Sequence, residues 1–336
     1  MKRQAAEVKS LSSRTGVSGV HAELEELLLT RLTASQLNLQ YAKPSRSLLA
    51  GPIHTRTKGR GMEFEEVRVY HPGDDIRSID WRVTARTQVT HTKLFQEERE
   101  KPVLVVVDQR SNMFFGSQRC FKSVYAAHLA AAIGWAAIGQ NDRIGALLFA
   151  DDTQQDVRPK RSKHAQLALL QKLVEFNQRL HSPLPSGRKI SMEEMLADVR
   201  RVAKPGTNIF ILSDFSDLNP ECEKQLYLLA RHNDVSLFHI FDTLEQQLPN
   251  TAQLSVSNGH QRLQLNPQEL GFQQRYQNLF DSRLARLQQI ANSFAVNVVN
   301  ACTTEDPERL LLGLYGKAKR SNRFKSAARA NHQSSR

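Results

Sequence analysis

The chain has 336 residues, of which 40% are hydrophobic and 24% are charged. This composition is ordinary for a globular protein, and it excludes global disorder. A single hydrophobic core stops growing near about 250–300 residues, so we expect two folded units. The net charge is +12, which raises the question of binding to nucleic acid or to an anionic membrane.

Part of this positive charge lies at the C-terminal end of the sequence. Residues 317–336 hold seven of the 46 Lys and Arg residues and no acidic residue. They show no apolar period, so we expect a solvated, disordered tail. Electrostatic contact of this tail with RNA, with lipid or with an acidic protein is the alternative. Because the charge excess is concentrated there, nucleic acid is not the partner that we expect.

The sequence carries no sign of secretion or of a membrane span. The most apolar stretch, 124–139, contains His128 and is shorter than the about 20 residues that cross a bilayer, so it predicts a buried helix. Basic residues near the N-terminus are not followed by an apolar segment, which favours a cytoplasmic location. Three cysteines lie far apart without metal-binding spacing, which predicts reduced, packed thiols: Cys120, Cys222 and Cys302.

The first hundred residues fall into two segments. In 1–54, the run HAELEELLLTRL places four leucines on one helical stripe that needs a packing surface, namely Leu24, Leu27, Leu28 and Leu32. Residues 43–60 are basic, contain two prolines and predict a connecting loop. Residues 55–100 predict a small β-rich module, with strand-like segments around 67–70 and 89–95.

From residue 101 the pattern changes to short apolar runs that alternate with amphipathic helices. This alternation is typical of βαβ units, and it predicts an α/β domain over 101–316 with a mainly parallel sheet and helices on both faces. The predicted strands are 103–108, 143–150, 208–214, 235–241 and 296–299, with a hairpin over 254–265. The predicted helices are about 118–139, 164–180, 191–202, 220–232, 266–294 and 307–316.

Two aspartates follow buried strands of this domain. Asp108 ends the strand VLVVVD, and Asp214 ends IFILSD. Ligands of parallel α/β sheets bind at the carboxyl ends of strands, so both acids are candidate site residues. An acid in this position is also often the N-cap of the next helix.

The residues around these aspartates carry a family resemblance. The order VLVVVDQRSNMFFG, DRIGALLFA and IFILSDFSD resembles von Willebrand factor A domains. The block GMEFEEVRVYHPGDDIRSIDWRVTARTQVTHTKLFQEERE is similar to the signature of the bacterial domain of unknown function 58 family, in which it leads into an A-like core. The resemblance covers about 59–249. It implies a von Willebrand factor A-like fold and makes six residues of the block its signature: Gly73, Asp74, Asp75, Arg77, Asp80 and Trp81.

The resemblance also implies a metal site, from which this sequence departs. A domains bind Mg²⁺ through an Asp-x-Ser-x-Ser loop, a distant Thr and a distant Asp. Asp108 and Asp214 match the two acids, but Arg110 and Asn112 replace the serines, and no residue is identified as the Thr. A guanidinium cannot be a metal ligand. We therefore expect no cofactor, with Arg110 neutralising both aspartates; weak Mg²⁺ binding by Asp108, Asn112 and Asp214 is the alternative.

The signature block contains a mixed cluster of acids and arginines around Trp81. We predict an ion-paired structural junction with Trp81 buried, because tryptophan is highly buried on average. An exposed recognition surface is the alternative. The nearby Gly-Arg-Gly of 59–61 lacks the Lys-Ser/Thr of a phosphate loop and predicts a flexible turn.

The function that we expect is protein interaction without catalysis. The resemblance implies a MoxR-type AAA+ ATPase as the partner and an adaptor or co-chaperone role. A domains bind through the face that holds the Asp loop, which implies a contact surface of Asp108, Arg110, Asn112, Phe114, Asp214 and Asp217. Phe114 is either an apolar anchor of that surface or a buried residue. The alternatives are a metal-dependent hydrolase or nuclease and a nucleic-acid-binding protein.

Overall fold

The computed structural model describes residues 17–39, 63–71, 76–96, 101–181, 189–251, 253–257 and 262–317. Several predictions fall outside this part of the chain: the loop over 43–60, the turn at 59–61, nearly all of the basic tail, and the signature residues Gly73, Asp74 and Asp75. The backbone of Arg77 is described, but its side chain is not.

The centre of the fold is a six-stranded sheet. Its strands are β3 (Val103–Asp108), β4 (Ile144–Phe149), β5 (Gln154–Lys160), β6 (Asn208–Ser213), β7 (Asp234–Phe241) and β10 (Asn297–Cys302). Their order across the sheet is β10-β7-β6-β3-β4-β5. All neighbours are parallel except β5, which pairs antiparallel with β4 at one edge. The prediction of a mainly parallel α/β sheet is confirmed. β5 is absent from the predicted strands because its sequence, QQDVRPK, is largely polar. In the structure, the residues of β5 are partly or fully exposed.

Helices of the α/β domain cover both faces of this sheet, and all helices of the described residues are numbered here in chain order. They are α1 (Leu24–Leu29), α2 (Arg31–Ala34), α3 (Trp81–Thr87), α4 (Lys122–Gly139), α5 (Lys163–Asn177), α6 (Met192–Val202), α7 (Pro220–Ala230), α8 (Thr243–Gln246), α9 (Phe272–Phe294) and α10 (Pro307–Tyr315). The Asn219 side chain caps α7 ahead of Pro220, as predicted. The predicted start of α9 is wrong: Asn266 and Pro267 form a turn, and the helix begins after Gly271, whose φ of 77° interrupts the helical backbone.

The alternation of side chains along β3 divides the hydrophobic core into two layers. Val103, Val105 and Val107 pack with α4, α5 and α10 on one face. Leu104 and Val106 pack with α6, α7 and α9 on the other face. The apolar helix α4 is buried along almost its whole length, as predicted. Within the described residues, no helix combines the length and apolarity that a bilayer crossing requires.

The N-terminal segment packs on the α4 side of the domain. Trp135 Nε1 of α4 donates a hydrogen bond to the Leu27 carbonyl oxygen at 3.3 Å, and Leu27 is fully buried. The predicted leucine stripe is wrong at its other positions, since Leu24, Leu28 and Leu32 are exposed. The helix ends at Leu29, and a second one begins at Arg31.

The small module before the domain contains a two-stranded antiparallel sheet of β1 (Glu63–Val69) and β2 (His91–Gln96). Between the strands lies α3, which is absent from the predicted elements. Asp80 is its N-cap and accepts hydrogen bonds from the backbone of Arg82 and Val83. Trp81 is 67% exposed, so the prediction that it is buried is wrong. It is the first residue of the short helix α3, none of whose residues is buried.

A second hairpin of β8 (Leu254–Ser257) and β9 (Arg262–Leu265) precedes α9, as predicted. Cys120, Cys222 and Cys302 are buried free thiols, in agreement with the prediction of packed cysteines.

Candidate functional site

The carboxyl edge of the sheet gathers acidic side chains from several strands. Asp108 is the last residue of β3, Asp214 follows β6, and Asp242 follows β7. The strand order reverses beside β3, since β4 lies on one side and β6 on the other. Ligands of open α/β sheets bind in the crevice at such a switch point. The topology therefore places Asp108 and Asp214 at the expected position of a site.

Arg110 links Asp108 to Asp217, which lies in the loop after β6. Its Nε and Nη2 donate to the two carboxylate oxygens of Asp108 at 3.0 and 2.8 Å. Its Nη1 and Nη2 donate to the two oxygens of Asp217 at 2.8 and 3.1 Å. A further hydrogen bond of 3.1 Å goes from Nη1 to the Ile190 carbonyl oxygen. The planar guanidinium thereby connects three chain segments, and we call this arrangement the Arg110 clamp.

Lys122 makes a second clamp, at the start of α4. Its Nζ donates to Asp214 Oδ2 at 2.9 Å and to Glu245 Oε1 of α8 at 2.8 Å. The Lys122 side chain is only 1% exposed. We call this arrangement the Lys122 clamp. The prediction that Arg110 neutralises Asp214 is thus wrong, because a residue of α4 supplies that charge.

The pKa shifts at the two clamps follow from burial and opposite charge. Burial favours the neutral forms of Arg110 and Lys122, but their carboxylate partners outweigh it and raise both pKa values. Burial would raise the pKa of Asp214, yet the charge and hydrogen bond of Lys122, with the Ser216 backbone amide, lower it. Arg110, Lys122 and Asp214 are therefore ionised near neutral pH.

Asn112 stands between the clamps and acts as a hydrogen-bond donor. Its Nδ2 donates to Asp214 Oδ1 at 2.8 Å and to Ser216 Oγ at 3.1 Å. Phe215, between these two partners, is fully buried with a φ of 51°. The left-handed conformation costs an L-residue roughly 1–2 kcal/mol, so the packing of Phe215 and the clamped neighbours hold this loop in place.

Two further aspartates tie the loop after β3 to other strands. Asp242 accepts hydrogen bonds from the Ser117 backbone at 2.9 Å and from Thr303 Oγ1 at 2.8 Å. Burial would raise the pKa of Asp242, but hydrogen bonds from Ser117, from the Leu244 backbone amide and from Thr303 lower it. Asp151, after β4, accepts from the backbone and the hydroxyl of Ser111, both at 3.1 Å.

The residues at this edge do not fit the Mg²⁺ ion that the resemblance implies. Both oxygens of Asp108 accept hydrogen bonds from Arg110, and Oδ2 also accepts from Ser213 Oγ at 2.7 Å. Asp214 is engaged by Lys122 and Asn112. Mg²⁺ requires oxygen ligands in a near-ideal octahedron, and two cations already occupy the coordinating side of the carboxylates. Within the described part of the chain, no group of His, Cys, Asp and Glu is arranged to hold a metal.

Comparison with known proteins identifies the family. The model of the family described as "Protein of unknown function DUF58" matches residues 66–283, well over half of the chain. The chain belongs to this family. The match includes α3 with Trp81 and reaches into α9, so it joins the small module and most of the α/β domain. The architecture of the DUF58 chain is von Willebrand factor A-like, with one antiparallel edge strand.

The DUF58 chain is similar to two kinds of protein. Uncharacterized proteins of Mycobacterium tuberculosis and Mycobacterium bovis are 29% identical over 201 residues, which span 60% of this chain and 61% of theirs. Among solved structures, BatB from Bacteroides thetaiotaomicron has 12% identity and a TM-score of 0.40, covering 62% of this chain and 94% of BatB. The SpRpn10 VWA domain has 11% identity and a TM-score of 0.33, covering 64% and 95%.

The six residues of the predicted contact surface lie at the end of β3 and in the loops after β3 and β6, and each of them except Phe114 is hydrogen-bonded to another of the six, but their accessibility differs. Asp108, Arg110 and Asp214 are buried, whereas Asp217 is 39% exposed. Asn112 and Phe114 are half-buried, so Phe114 is neither a fully exposed anchor nor a core residue. We call these six residues the carboxyl-edge face. The signature residues Asp80 and Trp81 lie in the separate small module.

Lys122 is the functional candidate that the sequence pattern does not reveal directly. A weak signal exists, because a lysine in the first turn of a helix opposes the helix dipole and must find a specific partner. Its partner Asp214 is 92 residues away in the sequence, so only the folded chain identifies the pair.

Proposed function

We propose that this DUF58 protein is a non-enzymatic interaction module that binds a protein partner through the carboxyl-edge face. The observation that carries this proposal is the state of the acids at the edge. Asp108, Asp151, Asp214, Asp217 and Asp242 all accept hydrogen bonds from cations, hydroxyl groups or backbone amides. At Asp214 and Asp242 the pKa is lowered, and a carboxylate whose ionised form is stabilised is a poor general base.

The rim of this edge offers contacts that suit a protein partner. Asp217, Ser216 and Lys189 reach solvent, with side chains of Lys189 and Asp217 exposed by 49% and 39%. The half-buried Phe114, in the loop after β3, adds apolar surface to the same loop that holds Ser111 and Asn112. An aromatic group surrounded by polar groups at the rim is the usual composition of a protein interface.

We further propose that the partner is a MoxR-type AAA+ ATPase in the cytoplasm and that the protein serves it as an adaptor or co-chaperone. This step is supported by the resemblance of the signature block to the domain of unknown function 58 family. Members of that family are commonly paired with such ATPases. The chain matches about 61% of the length of its curated relatives, so their complete activities are not transferred to it.

The test is binding of the full-length protein to purified MoxR-type AAA+ ATPases of the source organism, measured by sedimentation velocity without nucleotide, with ADP and with an ATP analogue. We expect a complex in at least one nucleotide state. Ser216→Arg places a large side chain on the face and should abolish the complex. His232→Arg, exposed near the opposite edge of the sheet, is the matched control and should leave binding unchanged.

Two results would contradict the proposal. The first is the absence of a complex with every MoxR-type ATPase in every nucleotide state. The second is Mg²⁺-dependent hydrolysis of a phosphodiester or peptide substrate that Asp108→Ala abolishes. Binding to nucleic acid that weakens steeply with salt and disappears on deletion of 317–336 would indicate a nucleic-acid-binding protein.

A further inference from the structure

The two clamps share one design, in which a buried cation joins two carboxylates from different segments. Arg110 joins the end of β3 to the loop after β6. Lys122 joins that same loop to α8. The loop after β6 is therefore held twice, at Asp214 by Lys122 and at Asp217 by Arg110. Asn112 adds a third contact to this loop through its bonds to Asp214 and Ser216.

The Arg110 clamp also fixes the approach to α6. Asp217 Oδ2 accepts from the Met192 backbone amide at 2.9 Å, and Arg110 donates to the neighbouring Ile190 carbonyl oxygen. The residues before α6 and after β6 are thus bonded to one ion pair. A change at Arg110 removes the support of both.

Lys122 carries its positive charge at a position where both burial and the helix dipole oppose it. Lys122 lies in the first turn of α4, where the helix dipole opposes a cation, and its side chain is buried. Its two carboxylates compensate for both effects. Glu245 is itself fixed, because its Oε2 accepts a hydrogen bond from the Asp242 backbone amide at 2.9 Å.

We propose that Arg110 and Lys122 together replace a divalent ion, so that the carboxyl-edge face is held in its binding conformation without metal. The chain's own cations supply the charge that Asp108 and Asp214 require. The part of this inference that concerns partner binding rests on the proposed function. The replacement of the ion does not, because it concerns the face of the isolated protein.

The test is Mn²⁺ binding by the full-length protein, measured by the loss of the free-ion paramagnetic resonance signal and by the melting temperature with Mn²⁺ or EDTA. For the wild type we expect no uptake at millimolar Mn²⁺ and no change in melting temperature. Lys122→Met leaves Asp214 and Glu245 without their cation, so it should bind Mn²⁺ at least ~10-fold more tightly and melt higher when the ion is present.

Arg110→Ser repeats the test at Asp108 and Asp217 if Lys122→Met does not fold. Lys172→Met is the matched control, because it removes an exposed lysine bonded to Glu175 and should gain no Mn²⁺ affinity. Uptake of Mn²⁺ by the wild type that raises its melting temperature would overturn the inference. The same conclusion follows if neither folded variant gains affinity for Mn²⁺.

A second measurement separates this inference from the proposed function. If the ATPase binds the wild type, the affinity of the wild type for the nucleotide-free ATPase should be the same in Mg²⁺ and in EDTA. A loss of this affinity in EDTA would overturn the inference and leave the proposed function standing. If no ATPase binds, the proposed function fails, while the Mn²⁺ results still decide whether the clamps replace an ion.

Discussion

Replacement of Lys122 by methionine tests the electrostatics of the edge most directly. The variant keeps a long apolar side chain but leaves the carboxylate of Asp214, which is 2% exposed, without its cation. Removal of one partner from a buried ion pair costs about 3–5 kcal/mol, since an uncompensated charge stays behind. We expect a loss of that size in the free energy of unfolding at pH 7, measured by urea denaturation with the fluorescence of buried Trp135.

The pH dependence of this loss has a defined sign. In the wild type, the folded pKa of Asp214 lies below the ordinary value of about 3.9, so its stabilisation is present above that pH and disappears as the pH falls through the folded pKa. Without Lys122, burial raises the pKa of Asp214, and acid relieves the penalty by protonating the carboxyl. The difference in the free energy of unfolding between wild type and variant should therefore become smaller as the pH is lowered from 7 to about 5.

Two variants serve as comparisons for Lys122→Met. Lys172→Met removes the exposed pair with Glu175 and should cost less than about 0.5 kcal/mol. The double variant Lys122→Met with Asp214→Asn should be more stable than the sum of the single effects predicts, because the unpaired charge is gone. The reasoning would be refuted if Lys122→Met lowered the free energy of unfolding by less than about 1 kcal/mol at pH 7. It would also be refuted if the difference in this free energy between wild type and variant did not change with pH.

Three further predictions concern other parts of the molecule. Arg110→Lys keeps the charge but loses the guanidinium fork, so the free energy of unfolding should fall by roughly 2–4 kcal/mol in urea denaturation. Burial, with a smaller effect of Arg283, lowers the pKa of His239 from 6.5 to about 4. The free energy of unfolding of the wild type should therefore fall by up to about 3 kcal/mol between pH 6.5 and 4, because the unfolded state takes up a proton that the folded state does not. In His239→Phe, the free energy of unfolding should depend less on pH over this range. Trp81→Ala should change stability by less than about 1 kcal/mol, because the side chain is largely exposed.

Each of these predictions has a contradicting outcome. Full stability of Arg110→Lys would show that charge alone holds the loops. An unchanged pH slope in His239→Phe, relative to the exposed control His232→Phe, would mean that His239 is not the group that titrates. A loss above about 2 kcal/mol in Trp81→Ala would show that Trp81 packs as a structural residue, as the sequence first indicated.

Most elements of the α/β domain were predictable because their signals are local. The apolar strands β3, β4, β6 and β7 and the capped helices α6 and α7 match the predicted ranges within a few residues. The elements that were not predicted lie where the local signal is weak or fits both a helix and a strand. The polar edge strand β5 has no apolar run, and α3 lies in a segment rich in Thr and Arg that alternates like a strand. Propensity alone does not decide such segments.

The site was predictable only in part. A carboxylate at the end of each of two buried strands indicated Asp108 and Asp214, and Arg110 was recognised as the residue that cannot ligate a metal. The pairing of these groups depends on contacts between distant segments. Asp217 is 107 residues from Arg110, and Asp214 is 92 residues from Lys122. No periodicity within a window of the sequence carries that information.

The sequence by itself determined the order of the apolar strands and of the longer helices in the α/β domain, the burial of β3 and α4, and the loss of the two serines from the loop after β3. Only the tertiary structure decided which cation meets which carboxylate and that Trp81 faces solvent. The physical reason is that element formation and burial follow from nearby residues, whereas charge pairing at the edge depends on how the sheet orders β3, β6 and β7 and on where α4 begins beside them.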